Sequence, residues 1–217
     1  MIHGVDKSRG PRMIEEFKKG GIDGSEVKWL LHPNKDELTE EFIRRVTVQT
    51  DSYSCGAFKR ANSVSKGHVS CTYKHYLALK DIMENNYDYG VIMEDNMTIK
   101  GDVKERLNIY IKQLNKFYPD WDILFDYSQG KYTESEIIPG VLVYPKSNEI
   151  TDAGHGGTRC APFYLIRNKC ARILYDHYLP FNNAPDWWMN DLFRKLNIKS
   201  FWAEPPNIDI WPHASST

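Results

Sequence analysis

The stretch "YDYGVIMEDNMTIKGD", residues 87–102, combines an apolar strand with a polar end. Its core, "YGVIM", is continuously apolar rather than alternating, which is typical of a strand that is buried on both faces. A long helical pattern comes before the strand, and Asp102 can cap another helix directly after it. A buried strand between two helices predicts an α/β fold, in which helices cover a central sheet.

The same alternation of strand and helix patterns continues along the chain. Helical patterns occur in "HVSCTYKHYLALKDIMENN" (68–86), "VKERLNIYIKQLNKF" (103–117), "KCARILYDHYL" (169–179) and "PDWWMNDLFRKL" (185–196). Strand patterns occur in "WDILFDY" (121–127) and "RCAPFYLIR" (159–167). Asn168 is the predicted cap of the helix at 169–179. Some of the late strands have no helix between them. We therefore predict a single domain with a mostly parallel central sheet flanked by helices and a smaller mixed or antiparallel C-terminal portion.

Composition excludes several classes of function. The 217 residues include 28 basic and 29 acidic ones, so the net charge is -1 and no whole-molecule field attracts nucleic acid. No window approaches the ~18 apolar residues of a membrane-spanning helix, and the N-terminus lacks the apolar region of a signal peptide. The four cysteines are scattered, as is typical of reduced thiols. We expect a cytoplasmic protein without a membrane span, which could be a domain of a longer chain.

The polar end of the strand consists of Glu94, Asp95 and Asn96. In α/β sheets the ligand crevice lies beyond the carboxyl ends of the strands. Neighbouring carboxylates repel each other unless a cation compensates them, and hard oxygen ligands suit Mg²⁺ or Mn²⁺. The alternative is a solvated junction between strand and loop, because acidic residues are common in turns.

Seven segments, in order along most of the chain, resemble glycosyltransferase family 25, which includes lipooligosaccharide galactosyltransferases and the collagen hydroxylysine galactosyltransferases. They are "HGVDKSRGPRMIEEF" (3–17), "GHVSCTYKHYLALKDI" (67–82), "YGVIMEDNM" (89–97), "WDILFDYSQGK" (121–131), "GTRCAPFYLIRNKCARIL" (157–174), "APDWWMNDLF" (184–193) and "AEPPNIDIWPHASS" (203–216). Three positions depart from the family pattern. Gly4-Val5 replaces Asn-Leu, Lys74 replaces the Ser before His75, and Asn96 replaces the last acid of an E-D-D motif.

The resemblance implies a GT-A-like fold and assigns metal and diphosphate contacts. Glu94, Asp95 and Asn96 match a DXD-like motif, in which Asp95 is the foremost candidate for direct ligation. Asn96 can still offer an amide oxygen to a hard cation, but it brings no charge. His213 matches the position near the chain end from which GT-A enzymes often supply an imidazole to the same metal. The alternative for His213 is a solvated residue of the tail.

Further residues are implied to contact the nucleotide-sugar. Val5, Asp6 and Arg12 lie at and after the end of a first predicted strand, "MIHGV" (1–5), where a turn and a helix start offer N–H groups and guanidinium to phosphate. The alternative is that the basic residues Lys7, Arg9 and Arg12 are ordinary surface charges. His75 is a candidate for the donor pocket, although a lone histidine on a helix most often has a packed or surface role. The Gly-rich loop Gly154–Gly157 is predicted to be a lid or an acceptor wall.

The acceptor side is assigned to the segment around Asp186, which we prefer to Asp126 and Asp191 as the catalytic base. A carboxylate in the first turn of a helix is stabilised by the helix dipole, so its pKa is expected to be lowered. The alternative is a purely structural capping role. Trp187 or Trp188 could stack on a sugar ring.

Taken with the resemblance, these residues predict a glycosyltransferase that depends on Mn²⁺ or Mg²⁺. It would transfer a hexose, with galactose or glucose as first guesses, from a UDP-sugar to the hydroxyl of a glycan, glycolipid or glycoprotein, with inversion. Residues 1–100 would bind the donor and residues 101–217 the acceptor. Two alternatives stay open, a non-catalytic carbohydrate- or nucleotide-sugar-binding domain and a nucleotidyltransferase.

Overall fold

The computed structural model describes residues 1–2, 8–48, 65–127, 131–149, 156–158 and 160–211. Helices and strands alternate in this part much as the sequence predicts. The helices are α1 (Arg9–Lys19), α2 (Glu40–Val46), α3 (Lys66–Glu84), α4 (Val103–Phe117), α5 (Asn168–Tyr178) and α6 (Pro185–Leu196). The strands are β1 (Tyr89–Met93), β2 (Met97–Ile99), β3 (Ile123–Phe125), β4 (Val143–Pro145), β5 (Phe163–Arg167), β6 (Ser200–Ala203) and β7 (Ile208–Ile210).

Five strands form the central sheet in the order β1-β5-β3-β6-β4, and β2 and β7 form a separate antiparallel pair. In the sheet, β3 and β6 are parallel, whereas β5 is antiparallel to both β1 and β3, and β4 is antiparallel to β6. The α/β class is confirmed, but the expectation of a mostly parallel sheet is wrong. Helix α4 does bring β1 and β3 into the same direction, but β5, from later in the chain, fills the space between them with the opposite direction.

Helices cover both faces of the sheet. Side chains alternate along the strands, so Phe125 packs with the helices α3, α5 and α6, whereas Leu124 packs with α4 on the other face. A third apolar cluster joins α1 to the end of β1 and to the β2–β7 pair. Helix α3 approaches β1 closely at Gly90, where a Cβ atom would lie 2.1 Å from Cδ1 of Ile82.

The predicted helix caps are partly confirmed. Asp102 caps α4, because its Oδ1 accepts a hydrogen bond of 2.8 Å from the N–H of Glu105. Asn168 does not cap α5, since it is the first helical residue and Arg167 occupies the cap position. The Asn168 amide instead donates to the carbonyl oxygens of Ile82 and Tyr87, and so fastens α5 to the end of α3.

Cys71, Cys160 and Cys170 are free thiols, and Cys55 lies outside the described residues. Among the described helices, none combines the length and the apolar character that crossing a membrane requires.

Candidate active site

The carboxyl ends of β1, β3 and β6 meet at one edge of the sheet, because these three strands run in the same direction. Each strand is followed by acidic residues at this edge. They are Glu94 and Asp95 after β1, Asp126 after β3 and Glu204 after β6. Three of these acids are buried and Glu94 is half-buried. Beyond the carboxyl ends of α/β strands lies the usual ligand crevice, so this edge is the candidate site.

Two of the four acids bind backbone or side-chain groups of neighbouring elements. Asp126 accepts a hydrogen bond of 2.7 Å from the N–H of Asn207 and one of 3.1 Å from the hydroxyl of Tyr110. Burial raises the pKa of Asp126 to about 7. Glu204 accepts a hydrogen bond of 2.8 Å from the N–H of Lys131. These contacts attach loops and helix α4 to the sheet edge, whereas Glu94 and Asp95 contact side chains of the helices α3 and α1.

Glu94 and Asp95 are adjacent in sequence, but their side chains lie on opposite sides of the strand end. The side chains of β1 alternate between the two faces of the sheet, and this alternation continues at Glu94 and Asp95. Glu94 Oε1 lies 3.2 Å from Nε2 of His75 on α3. Asp95 Oδ1 instead accepts a hydrogen bond of 2.9 Å from Arg9 on α1. The two carboxylates therefore have different neighbours and can have different roles.

On the Asp95 side, two arginines of α1 hold the strand end. Besides the ion pair with Arg9, the backbone carbonyl of Asp95 accepts a hydrogen bond of 2.7 Å from Arg12. Arg12 also donates to the carbonyl of Met97 at 2.9 Å, and its guanidinium carbon lies 4.4 Å from the ring centre of Trp211. Burial lowers the pKa of Arg12, although arginine keeps its charge in proteins. Cationic groups are thus concentrated beside Asp95.

Asn96 presents an unsatisfied acceptor at the same place. Its side-chain oxygen is buried and accepts no hydrogen bond from the described residues, whereas its backbone carbonyl accepts one of 2.7 Å from the N–H of Trp211. A buried polar atom without a partner is rare in proteins. An amide oxygen, like the carboxylate of Asp95, belongs to the oxygen ligands that Mn²⁺ or Mg²⁺ prefers, and Arg9 is a neighbouring competitor for one oxygen of that carboxylate.

On the Glu94 side, three side chains converge. His75 is fully buried on α3, and its Nδ1 lies 2.7 Å from the hydroxyl of Tyr164 on β5. The rings of His75 and Tyr164 are stacked. Cys71 lies one helical turn before His75, and its sulfur, a ring nitrogen of His75 and a carboxylate oxygen of Glu94 all lie within 4.8 Å of one another.

Asp186 is the second residue of α6 and faces the same side as Glu94. Burial and the charge of Glu94 raise the pKa of Asp186 to about 6, although backbone hydrogen bonds from Trp187 and Cys160 act in the opposite direction. The expectation of a lowered pKa is therefore wrong, because burial outweighs the stabilisation at the helix N-terminus. Roughly nine-tenths of the group is still ionised at neutral pH.

The family model of glycosyltransferase family 25 (LPS biosynthesis protein) matches residues 48–189, well over half of the chain. This chain belongs to glycosyltransferase family 25. It is also similar to procollagen galactosyltransferase 1-B of Xenopus laevis, with 25% identity over 179 residues, which cover 79% of this chain and 28% of that protein. The chain thus spans less than a third of this relative. The crystal structure of mouse xyloside xylosyltransferase 1, apo form, aligns with 92% of this chain and 69% of that one, with a TM-score of 0.42 and 11% identity.

The residues implied by the family 25 resemblance fall into two groups in the structure. Arg12, Asp95 and Asn96 lie on the α1 side, whereas His75, Glu94 and Asp186 lie on the side of α3 and α6. Val5, Asp6 and His213 are outside the described residues, as are Gly154 and His155 of the Gly-rich loop. The first group suits a cation and a diphosphate, and the second can accept a proton.

Three site residues were missed or under-weighted by the sequence reasoning. Lys74 is buried, its amine donates to Asn34 Oδ1 at 3.0 Å, and burial lowers its pKa, with the charges of Cys71 and Asp95 acting against that shift. Cys71 and Tyr164 surround His75. Spacing could have found Lys74 and Cys71, because positions three and four apart share one face of a helix. Tyr164 lies in a distant segment, so no local signal pointed to it.

The two tryptophans after Asp186 differ in exposure. Trp188 is buried, and its indole N–H donates to the carbonyl of Tyr178 at 2.8 Å. Trp187 is half-buried. Of the two, Trp187 is therefore the better candidate for stacking on a sugar ring.

Proposed function

We propose that this member of glycosyltransferase family 25 transfers a hexose from a UDP-sugar to an acceptor hydroxyl, with inversion at the anomeric carbon. UDP-galactose and UDP-glucose are the first donors to test. The name of the Xenopus laevis relative, a procollagen galactosyltransferase, supports galactose. The family description names LPS biosynthesis, which supports a glycan or glycolipid acceptor as well as a glycoprotein.

The observation that carries this proposal is the division of the strand end between two kinds of chemistry. Asp95 and Asn96 offer oxygen ligands beside the guanidinium groups of Arg9 and Arg12. On the other side, half-buried Asp186 is mostly ionised at neutral pH and lies near Glu94. An inverting transferase needs stabilisation of the leaving group and a base for the acceptor at separate positions.

In this proposal the donor diphosphate binds on the Asp95 side. Asp95 and Asn96 would hold Mn²⁺ or Mg²⁺, with His213 as a further predicted ligand. Such a cation would offset the negative charge on the departing diphosphate. Arg9 and Arg12 provide fixed positive charge at the same strand end, and Val5 and Asp6 are predicted contacts of the nucleoside. Residues 1–100 would thus form most of the donor half of a single GT-A-like domain.

Asp186 acts as the base in the half formed by residues 101–217. The acceptor oxygen attacks the anomeric carbon, the bond from that carbon to the phosphate oxygen of UDP breaks, and the acceptor proton moves to the Asp186 carboxylate. The charge of Glu94 raises the pKa of Asp186, and the Glu94 carboxylate contacts Nε2 of His75 at 3.2 Å. We therefore assign Glu94 to the acceptor side of the strand end rather than to direct contact with the diphosphate.

The alternative is a binding domain without turnover. The Arg9–Asp95 ion pair and the uncharged amide of Asn96 both favour it, because each reduces the attraction of the site for a cation. A domain of this kind would bind a nucleotide-sugar but would release no UDP from it.

The test is binding and turnover with UDP-galactose and UDP-glucose, each with and without Mn²⁺. We expect metal-dependent thermal stabilisation and slow release of UDP. Asp95→Asn should abolish the metal-dependent part, whereas the control Asp209→Asn should not, since Asp209 is an exposed residue of β7 that pairs with Lys100. Donor binding without UDP release would favour the binding domain, and no donor binding at all would contradict both functions.

A further inference from the structure

The three side chains that converge on the Glu94 side form a second candidate metal site, which shares no ligand with the site of Asp95 and Asn96. Cys71 and His75 are four residues apart on α3, so they lie on the same face of the helix. Glu94 approaches that face from the end of β1. The group therefore joins a helix to a strand through one thiol, one imidazole and one carboxylate.

The distances between the three ligand atoms are compatible with one tetrahedral ion. Zinc bonds of about 2.0–2.3 Å to N, O and S ligands place two ligand atoms about 3.3–3.6 Å apart. Nε2 of His75 lies 3.2 Å from Oε1 of Glu94, and all three ligand atoms are within 4.8 Å of one another.

The surroundings orient the imidazole as in a metal site. Nδ1 of His75 lies 2.7 Å from the hydroxyl of Tyr164, and the two rings stack at 11°. Nε2 is thereby directed at Glu94. A metal-ligating histidine typically has its second ring nitrogen fixed in this way by a hydrogen bond.

The chemistry of the ligands selects the ion. Thiolate and imidazole ligands favour Zn²⁺, whereas Mg²⁺ and Mn²⁺ favour carboxylate, carbonyl and water oxygens. Glu94 and Asp186 are also close enough for the charge of Glu94 to raise the pKa of Asp186. A divalent cation between the helix and the strand would relieve this repulsion.

We propose that Cys71, His75 and Glu94 bind one zinc ion that ties α3 to the end of β1, with the fourth position open to water. The proposal does not depend on the identity of the donor sugar or on turnover. It predicts a metal that the whole protein retains and that differs in kind from a dissociable Mn²⁺ or Mg²⁺.

The test uses the whole protein, freed of metal with a chelator and then titrated with Co²⁺ as a spectroscopic substitute for Zn²⁺. We expect one equivalent to bind with the near-ultraviolet absorption of a thiolate-to-cobalt bond, and Zn²⁺ but not excess Mn²⁺ to displace it. Cys71→Ser should abolish this absorption. Tyr164→Phe should keep the absorption but weaken Zn²⁺ binding about tenfold, since it removes only the contact that orients His75.

Two control variants separate this site from other thiols and from the Asp95 side. Cys170→Ala changes a buried thiol of α5, and Asp95→Asn changes the oxygen ligands, so both should retain the absorption. Absence of the absorption in the unmodified protein would overturn the proposal. Its persistence in a folded Cys71→Ser protein, or its loss in Cys160→Ser instead, would overturn it as well.

Discussion

Replacement of Asp186 by asparagine tests the proposed base directly. The change preserves the size of the side chain and the oxygen that accepts backbone hydrogen bonds, but it removes the ability to take a proton. General base catalysis typically contributes about 10²- to 10⁴-fold, so we expect transfer to fall at least roughly a hundredfold. Donor binding should stay near that of the unmodified protein, because the Asp95 side is unchanged.

The raised pKa of Asp186, about 6, predicts a pH dependence of the transfer activity, which tests the proposed base independently of the substitution. Only the ionised carboxylate can accept the proton, so activity should fall as the pH falls through 6. At pH 5 about a tenth of the group is ionised, compared with about nine-tenths at pH 7. The unmodified protein should therefore lose close to a factor of ten between these values, whereas the residual activity of Asp186→Asn should not show this step.

The assay is UDP release from the better donor of the two, measured from pH 5 to pH 8 together with the melting temperature. Asp191→Asn is the matched control, because Asp191 is another acid of α6 whose pKa is raised by burial, but it pairs with Arg194 at 3.1 Å. Near-normal turnover in folded Asp186→Asn would refute the assignment. Equal losses in both variants would indicate a structural effect on α6.

Three further predictions concern single buried groups. Asn96→Asp should tighten Mn²⁺-dependent donor binding by adding a charge beside Asp95, and weaker metal binding in calorimetry would show that Asn96 serves another purpose. The pKa of Asp126 in the folded protein is about 7, above its ordinary value of 3.8. Because folding disfavours the ionised carboxylate, the free energy of unfolding should fall as the pH rises from about 4 to about 7. Asp126→Asn should remove that fall and stabilise the protein by about 1–3 kcal/mol at pH 8, and chemical denaturation showing an unchanged slope would contradict this. Lys146 is buried and donates a hydrogen bond to Asn190, and burial and the charge of Lys131 lower its pKa to about 7. Because the unfolded chain binds this proton more tightly than the folded protein, the free energy of unfolding should rise from pH 7 towards pH 10. Lys146→Met should flatten that rise and increase the free energy of unfolding by about 1–3 kcal/mol at pH 6. A loss of stability in this variant, measured by chemical denaturation at both pH 6 and pH 10, would contradict the prediction.

Local patterns in the sequence were enough to predict most of the elements. Helices α3 and α4 follow from apolar spacing, and the cap at Asp102 follows from a side chain that reaches the N–H of Glu105 within the same turn. Such interactions span only a few residues, so they can be recognised without knowledge of the fold. The acidic strand end was recognised for the same reason, because a strand and its next two residues are one local unit.

The direction of β5 and the division of the strand end required the tertiary structure. An apolar run such as "FYLIR" is equally suited to parallel and antiparallel neighbours, since both bury its two faces. The neighbours of a carboxylate at a strand end depend on which helices pack on each face. Sequence alone therefore could not show that Glu94 faces His75 while Asp95 faces Arg9.

The sequence by itself determined the α/β class, the acidic edge and the family, because these depend on periodicity, turn chemistry and ordered motifs. Only the tertiary structure decided which groups share a microenvironment. The pKa of Asp186 illustrates the difference, since the helix N-terminus can be predicted locally and lowers the pKa. Burial and the charge of Glu94, more than ninety positions earlier in the chain, raise it, and these effects exist only after the strand and α6 have packed together.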